Sequence, residues 1–287
     1  MVLADGRTLA FQEHGDSDDQ VIMYFHGTPS CRVEWGALTR PSLAEKLGAR
    51  LIAVDRPGCG LSDFQPGRKI TDWPKDVANL ADSLAITQFA VLGYSGGGPY
   101  ALACAAFLPD RVTSVAVASC MAPHDVPGLT DTINSDALRF MRLAQERQWV
   151  HRLVVTMLRV GAVWTPSRIL KSAMQALPEP DRVMLRRPEI AAGFIRMILE
   201  TTRRGTAGAS KDTELMVSSW LFDPSEVHKQ VALWQGEDDR NVPPEMGHYL
   251  AGRLPDCAAR FVPGEGHISL AVNHFEEIVR QLLRPDR

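Results

Sequence analysis

The sequence predicts an α/β protein with a mostly parallel central sheet flanked by helices and interrupted by an α-helical insertion. Three observations carry this. Short apolar runs alternate along the chain with longer segments of helical period. The runs are apolar on both faces, as strands covered by helices on both sides require. The alternation stops after Cys120 and resumes near Val231, and the stretch between contains no convincing strand but several helical stretches.

Taken in order, residues 3–7 and the alternating Thr8-Leu9-Ala10-Phe11 predict an antiparallel hairpin turning at Asp5-Gly6, an edge addition to the sheet. Residues 21–25, 51–54, 89–92, 112–118 and 231–234 are the core strands, with 259–262 a further one. Trp73, Val77, Leu80 and Leu84 share one helical face behind the candidate caps Thr71 and Asp72, and a second helix covers 101–108. Within the insertion, helical spacing covers 135–147, 167–177 and 188–203, and Ile190, Phe194, Met197, Ile198 and Thr201 share a face of the last. Residues 121–130, the bend Pro178-Glu179-Pro180 and residues 205–210 read as linkers. A terminal helix spans 273–283. The organisation is therefore a core of 1–120 and 230–287 and a helical insertion of 121–229.

Composition narrows the function. The chain has 287 residues and a formal net charge of -3, and its Lys and Arg form no stripe beyond pairs such as Arg186-Arg187, which argues against nucleic acid as a partner. The cysteines, Cys31, Cys59, Cys104, Cys120 and Cys257, are odd in number, scattered and without a CxxC pair, so neither a disulfide framework nor a zinc site is expected. No metal or cofactor is called for. The first residues lack an apolar signal core and no run is long enough to span a membrane, so a cytoplasmic location is expected.

The stretch Leu92-Gly93-Tyr94-Ser95-Gly96-Gly97-Gly98-Pro99-Tyr100 sets one serine among glycines between a predicted strand and a predicted helix. Glycine there permits a sharp turn, and a Gly-x-Ser-x-Gly turn in this context holds a serine hydroxyl out at a helix amino terminus. Such a hydroxyl needs a base, and the base needs a third group to hold it. His267, in Gly264-Glu265-Gly266-His267-Ile268, sits in a glycine-held loop after a strand, whereas His14, His151, His228 and His274 lie in polar or helical surroundings. The acid candidates Glu237, Asp238 and Asp239 follow another strand; a solvated loop accounts for them equally well until the chain order Ser, acid, His is considered.

Over nearly its whole length the chain resembles the α/β-hydrolase fold superfamily. The resemblance rests on His26-Gly27-Thr28-Pro29, Asp55-Arg56-Pro57-Gly58-Cys59-Gly60-Leu61-Ser62, Gly93-Tyr94-Ser95-Gly96-Gly97, and Gly236-Glu237-Asp238-Asp239 with Gly264-Glu265-Gly266-His267, in that order. It implies a serine hydrolase with Ser95 as nucleophile, His267 as base and Asp239, by its spacing from Gly236, as the orienting acid. Asp125 is the spare candidate, because some members draw the acid from that loop. The resemblance also implies backbone N–H donors at Thr28 and Gly96 for the oxyanion, a bracing role for His26, and a lid formed by 121–229. Met141, Trp149, Trp164 and Phe194 are candidate substrate contacts, although a stripe of this kind is equally ordinary helix packing. The expected substrate is a small-molecule carboxylic ester or lactone. The elbow serine is unlike the aspartate of dehalogenases and epoxide hydrolases, and the insertion lacks tyrosine. Carbon–carbon bond hydrolases, perhydrolases, aminopeptidases and non-catalytic receptors of the same fold remain alternatives, and the oligomeric state is not legible.

Overall fold

The computed structural model describes residues 1–16, 19–40, 42–131 and 133–283. Its centre is a seven-stranded sheet of order β1-β3-β2-β4-β5-β6-β7, built from β1 (Phe11–His14), β2 (Gln20–Phe25), β3 (Ala49–Val54), β4 (Phe89–Tyr94), β5 (Val112–Ala118), β6 (Val231–Gly236) and β7 (Cys257–Val262). Only β1 runs antiparallel, against β3. The predicted hairpin is reduced to one antiparallel bridge, Val2 with Thr8, around Gly6 at φ +85°, and the edge strand itself begins at Phe11.

The central strands are largely apolar because each feeds two layers. Met23, Phe25, Phe89 and Val91 point into one core, with α3 (Trp73–Ser83), α4 (Gly98–Phe107) and α11 (Pro244–Arg253). The alternate residues Ile22, Tyr24, Ala90 and Leu92 point into the other, beneath α1 (Glu34–Leu38), α2 (Leu43–Lys46) and α12 (His267–Leu283).

Between β5 and β6 lie α5 (Ser135–Glu146), α6 (Gln148–Trp164), α7 (Pro166–Ala176), α8 (Glu179–Leu185), α9 (Pro188–Thr201) and α10 (Ala207–Met216). Three of these depart from expectation. The Pro178-Glu179-Pro180 bend is the start of α8, with proline in the first turn where its missing N–H costs nothing. Residues 207–210, expected as linker, open α10; only Gly205, at φ +114°, keeps a turn conformation. Helix α6 lies outside the helical stretches expected from the sequence.

This helical segment is clipped to the core by buried charge. Asp212 of α10 accepts from Arg56 Nε at 2.8 Å and also pairs with Arg68, whose other nitrogen donates to Tyr100 Oη at 2.9 Å. Arg32 joins Asp55 of the core to Glu200 of α9, each at 2.6 Å. Gly208 lies directly on the backbone of the Gly58 turn, and a Cβ there has no space to occupy.

A methyl at Gly208 forces these backbones apart. Gly208→Ala is expected to destabilise by about 1–3 kcal/mol, as overpacking does. Gly252→Ala, in α11 with nothing within 4 Å of the added carbon, is expected to be neutral or stabilising by up to about 1 kcal/mol. Thermal unfolding followed by far-UV circular dichroism checks both.

Candidate active site

The sheet delivers three loops to one edge, at the carboxyl ends of β4, β6 and β7. After β4 the chain turns at Ser95, a non-glycine residue at φ +54°, and enters α4. Gly97 presses on the carbonyl of Phe25, and Gly96 faces Thr28 and Met216 so closely that no side chain fits. The glycines thus serve close approach of the Ser95 turn to the loop after β2.

Ser95, His267 and Asp239 meet. His267 Nε2 lies 3.0 Å from Ser95 Oγ, and its Nδ1 lies 2.7 Å from Asp239 Oδ2. The other Asp239 oxygen accepts from the N–H groups of Asn241 and Val242, each at 2.9 Å, which fixes the carboxylate in plane. Glu237, Asp238 and Asp125 are exposed and contact neither Ser95 nor His267. Burial thus separates Asp239 from its acidic neighbours, a distinction that the loop sequence alone left open.

His26 is fully buried, with Nδ1 2.8 Å from the Gly27 carbonyl and Nε2 accepting from the Arg56 N–H at 3.2 Å. Burial and then Arg56 push its pKa well below the ordinary value, so it is neutral and braces its loop as expected. Arg56 donates to the carbonyls of His26 and Gly27 and, at 2.9 Å, to Thr28 Oγ1. Glu34 of α1, also buried, takes the Gly27 N–H at 2.7 Å and the Tyr24 hydroxyl at 2.6 Å. The segment from His26 to Thr28 is therefore held from both sides.

One functional side chain escaped sequence reasoning altogether. Asp181 of α8 is completely buried and accepts from the N–H groups of His267, Ile268 and Ser269 at 3.0, 2.8 and 2.9 Å. It caps α12 at the residue that carries the imidazole, across 86 positions of sequence. Nothing local marks it, because its partners are backbone groups far along the chain.

The electrostatics of His267 follow. Burial disfavours its charged form, but Asp239, then Asp181 and Glu34, outweigh this and raise its pKa. Tyr94 Oη fixes the residue further by donating to the His267 carbonyl at 2.9 Å.

Ser95 and His267 open onto a cavity of about 180 Å³, walled by Thr28, Gly96, Met121, Phe140, Met141 and Met216 among others. Met141 lines it as expected. Trp149 and Trp164 do not: they are 72% and 78% exposed, on the side of α6 away from the core. Phe194 packs instead with Leu177, Leu185 and Ile190. The side chains taken for substrate contacts from composition are displaced by Phe140 and Met216, which pack where α5 and α10 cross the Ser95 turn. Among the described residues no cluster of three His, Cys, Asp or Glu is placed to hold a metal ion.

Comparison with known proteins agrees with this fold. The sequence profile of the Alpha/beta hydrolase family matches residues 22–281. The chain belongs to the alpha/beta hydrolase family and is a hydrolase. It is 25% identical over 271 residues, 93% of this chain and 90% of the relative, to a protein of Bacillus subtilis named as a putative 2-succinyl-6-hydroxy-2,4-cyclohexadiene-1-carboxylate synthase. Its fold matches an enol-lactonase from Burkholderia xenovorans LB400 with a TM-score of 0.72, at 20% identity over 97% of each chain. It also matches a thermophilic esterase from Thermogutta terrifontis with a TM-score of 0.69, at 22% identity over 98% of this chain and 95% of the other.

Removing the Asp181 charge withdraws one of the carboxylates that favour the imidazolium. In Asp181→Asn the pKa of His267, followed by NMR of the ring protons, is expected to fall, by less than loss of a directly bonded carboxylate gives.

Proposed function

We propose that this protein is a serine hydrolase acting on small, uncharged carboxylic esters or lactones, and that Ser95, His267 and Asp239 are its catalytic residues. The observation that carries this is the continuous hydrogen-bonded path from Ser95 through His267 to Asp239 at the wall of an apolar cavity.

The roles follow from the atoms. His267 Nε2 takes the proton of Ser95 as Oγ attacks the acyl carbon, then returns it to the leaving alcohol. Asp239 holds the Nδ1 proton toward itself and stabilises the imidazolium as it forms. The developing oxyanion is met by the backbone N–H groups of Thr28 and Gly96, and each such donor lowers the barrier by about 3–4 kcal/mol. Water entering the same cavity repeats the sequence and frees the acid. The segment 121–229 serves as the lid, since α5 and α10 supply Phe140, Met141, Thr213 and Met216 to the cavity wall.

The substrate class comes from size and charge. A cavity of about 180 Å³ is below the range of roughly 300–1,000 Å³ typical of sites for drug-sized ligands, so the acyl group is short. No Lys or Arg lines it. Arg56 and Arg68 are near but committed to Asp212. A carboxylate of the kind in the Bacillus subtilis relative's name therefore finds no cation here, which favours a neutral ester or lactone over a charged substrate for carbon–carbon cleavage.

Ser95→Ala is expected to lower kcat for an activated acetate ester on the order of a millionfold, and Asp239→Asn about 10⁴-fold, while Asp238→Asn and Asp125→Asn stay near wild type. Loss of activity in Asp125→Asn rather than Asp239→Asn assigns the acid to the other loop. In a panel of acyl esters, kcat/KM is expected to drop roughly tenfold or more between short and long chains. Because neutral His267 is the base and its pKa is raised, kcat/KM rises with pH through a midpoint above the ordinary histidine value of about 6.5. A pH-independent rate from acid to neutral solution overturns the assignment of His267.

A further inference from the structure

Helix α6 carries its large apolar side chains on an outward face. At about 100° per residue, Trp149, Leu153, Met157, Val160 and Trp164 fall within a sector of about 80°. His151, Val155 and Ala162 lie on the opposite side and are buried against the rest of the segment. The first set is not buried: its members are 72%, 54%, 63%, 46% and 78% exposed. They form one line along a 17-residue helix, with an indole at each end. A contiguous exposed apolar stripe of this kind marks a surface that meets something.

The charge around the stripe says what. From 139 to 171 the chain carries Arg139, Arg142, Arg147, Arg152, Arg159, Arg168 and Lys171 against a single acid, Glu146, although the whole protein is net -3. Among the described residues, Arg142, Arg147, Arg168 and Lys171 have no ion-pair partner. Beside α6, a groove of about 600 Å³ with an apolar floor is edged by Arg159, Arg196, Arg203 and Glu200, the last two paired with each other. A second copy is a poor occupant, because a two-fold contact sets this cationic ring against itself. Tryptophans and aliphatic side chains along one exposed helix face, with exposed Arg142, Arg147, Arg168 and Lys171 on the segments that flank the helix, are instead the composition of a surface that lies in a lipid interface.

We propose that the outer face of α6 docks the protein onto an anionic phospholipid bilayer, with Trp149 and Trp164 seated among the headgroups and the flanking arginines on lipid phosphates. No described helix is long and apolar enough to cross a membrane, so the attachment is peripheral. The surface does not depend on the serine chemistry of the neighbouring cavity.

The full-length protein is mixed with vesicles of phosphatidylglycerol and phosphatidylcholine, and with vesicles of phosphatidylcholine alone, and binding is read by co-sedimentation and by tryptophan emission. The remaining tryptophans, Trp35, Trp73, Trp220 and Trp234, are at most 2% exposed, so a blue shift reports Trp149 and Trp164. Expected are binding and a blue shift with the anionic vesicles only, both weakened by salt. The double variant Trp149→Ala/Trp164→Ala, and separately Leu153→Glu, are expected to lose roughly tenfold or more of the partitioning while keeping wild-type circular dichroism. Absence of binding to anionic vesicles at low salt, or partitioning untouched by these variants, overturns the proposal. So does a lipid-free oligomer that the same variants dissociate, or an acidic protein that competes the vesicles off without itself binding lipid.

Discussion

The Asp212 carboxylate lies without solvent contact between the guanidinium groups of Arg56 and Arg68. Burial by itself drives such a carboxyl toward its neutral form, and the two cations override this and hold its pKa below the usual carboxylate range. Removing one member of a buried pair of this kind strands the others, at a cost of about 3–5 kcal/mol. Three parts of the molecule are thereby made interdependent. Arg56 carries the His26–Thr28 loop, Arg68 carries the approach to α3 through Tyr100, and Asp212 carries α10, from which Thr213 and Met216 reach the cavity.

The position of His267 has the same divided origin. Asp239 comes from the core loop after β6, whereas Asp181 comes from the helical segment and grips the backbone of the very turn that presents the ring. Ring orientation and local field therefore depend on the helical segment being seated. The helical segment supplies more than a cavity wall, because its carboxylate contributes to the charge environment of His267.

Helix α6 takes part in that segment with one face only. Its inner side packs on α5 and α10, with His151 Nδ1 2.8 Å from Ser210 Oγ and the His151 ring 4.3 Å from that of Phe140. Phe140 in turn faces the cavity. Whatever covers the outer face is thus one helix diameter from the residues that line the site, on an element whose inner packing helps to place them.

The core strands and the loops bearing Ser95, Asp239 and His267 were legible in the sequence, because each rests on short-range chemistry. Runs such as Phe89 to Leu92 are apolar at every position since both faces are buried, and the glycines at 96 and 97 announce a turn that no larger side chain permits. The register of one acid against its neighbours was less so: Glu237, Asp238 and Asp239 are alike in composition and differ only in which of them folds inward. Trp149 and Trp164 were misplaced because large apolar side chains were assumed to turn toward the cavity, whereas the apolar side of α6 faces outward. Asp181, Asp212 and Arg68 were beyond any local reading, since a carboxylate becomes a helix cap or a buried counter-ion only through partners brought close by the fold, 86 and 144 positions away in the cases of His267 and Arg68. Periodicity and turn chemistry are written in adjacent residues; the pairing of buried charge is a property of distances that exist only once the chain has closed on itself.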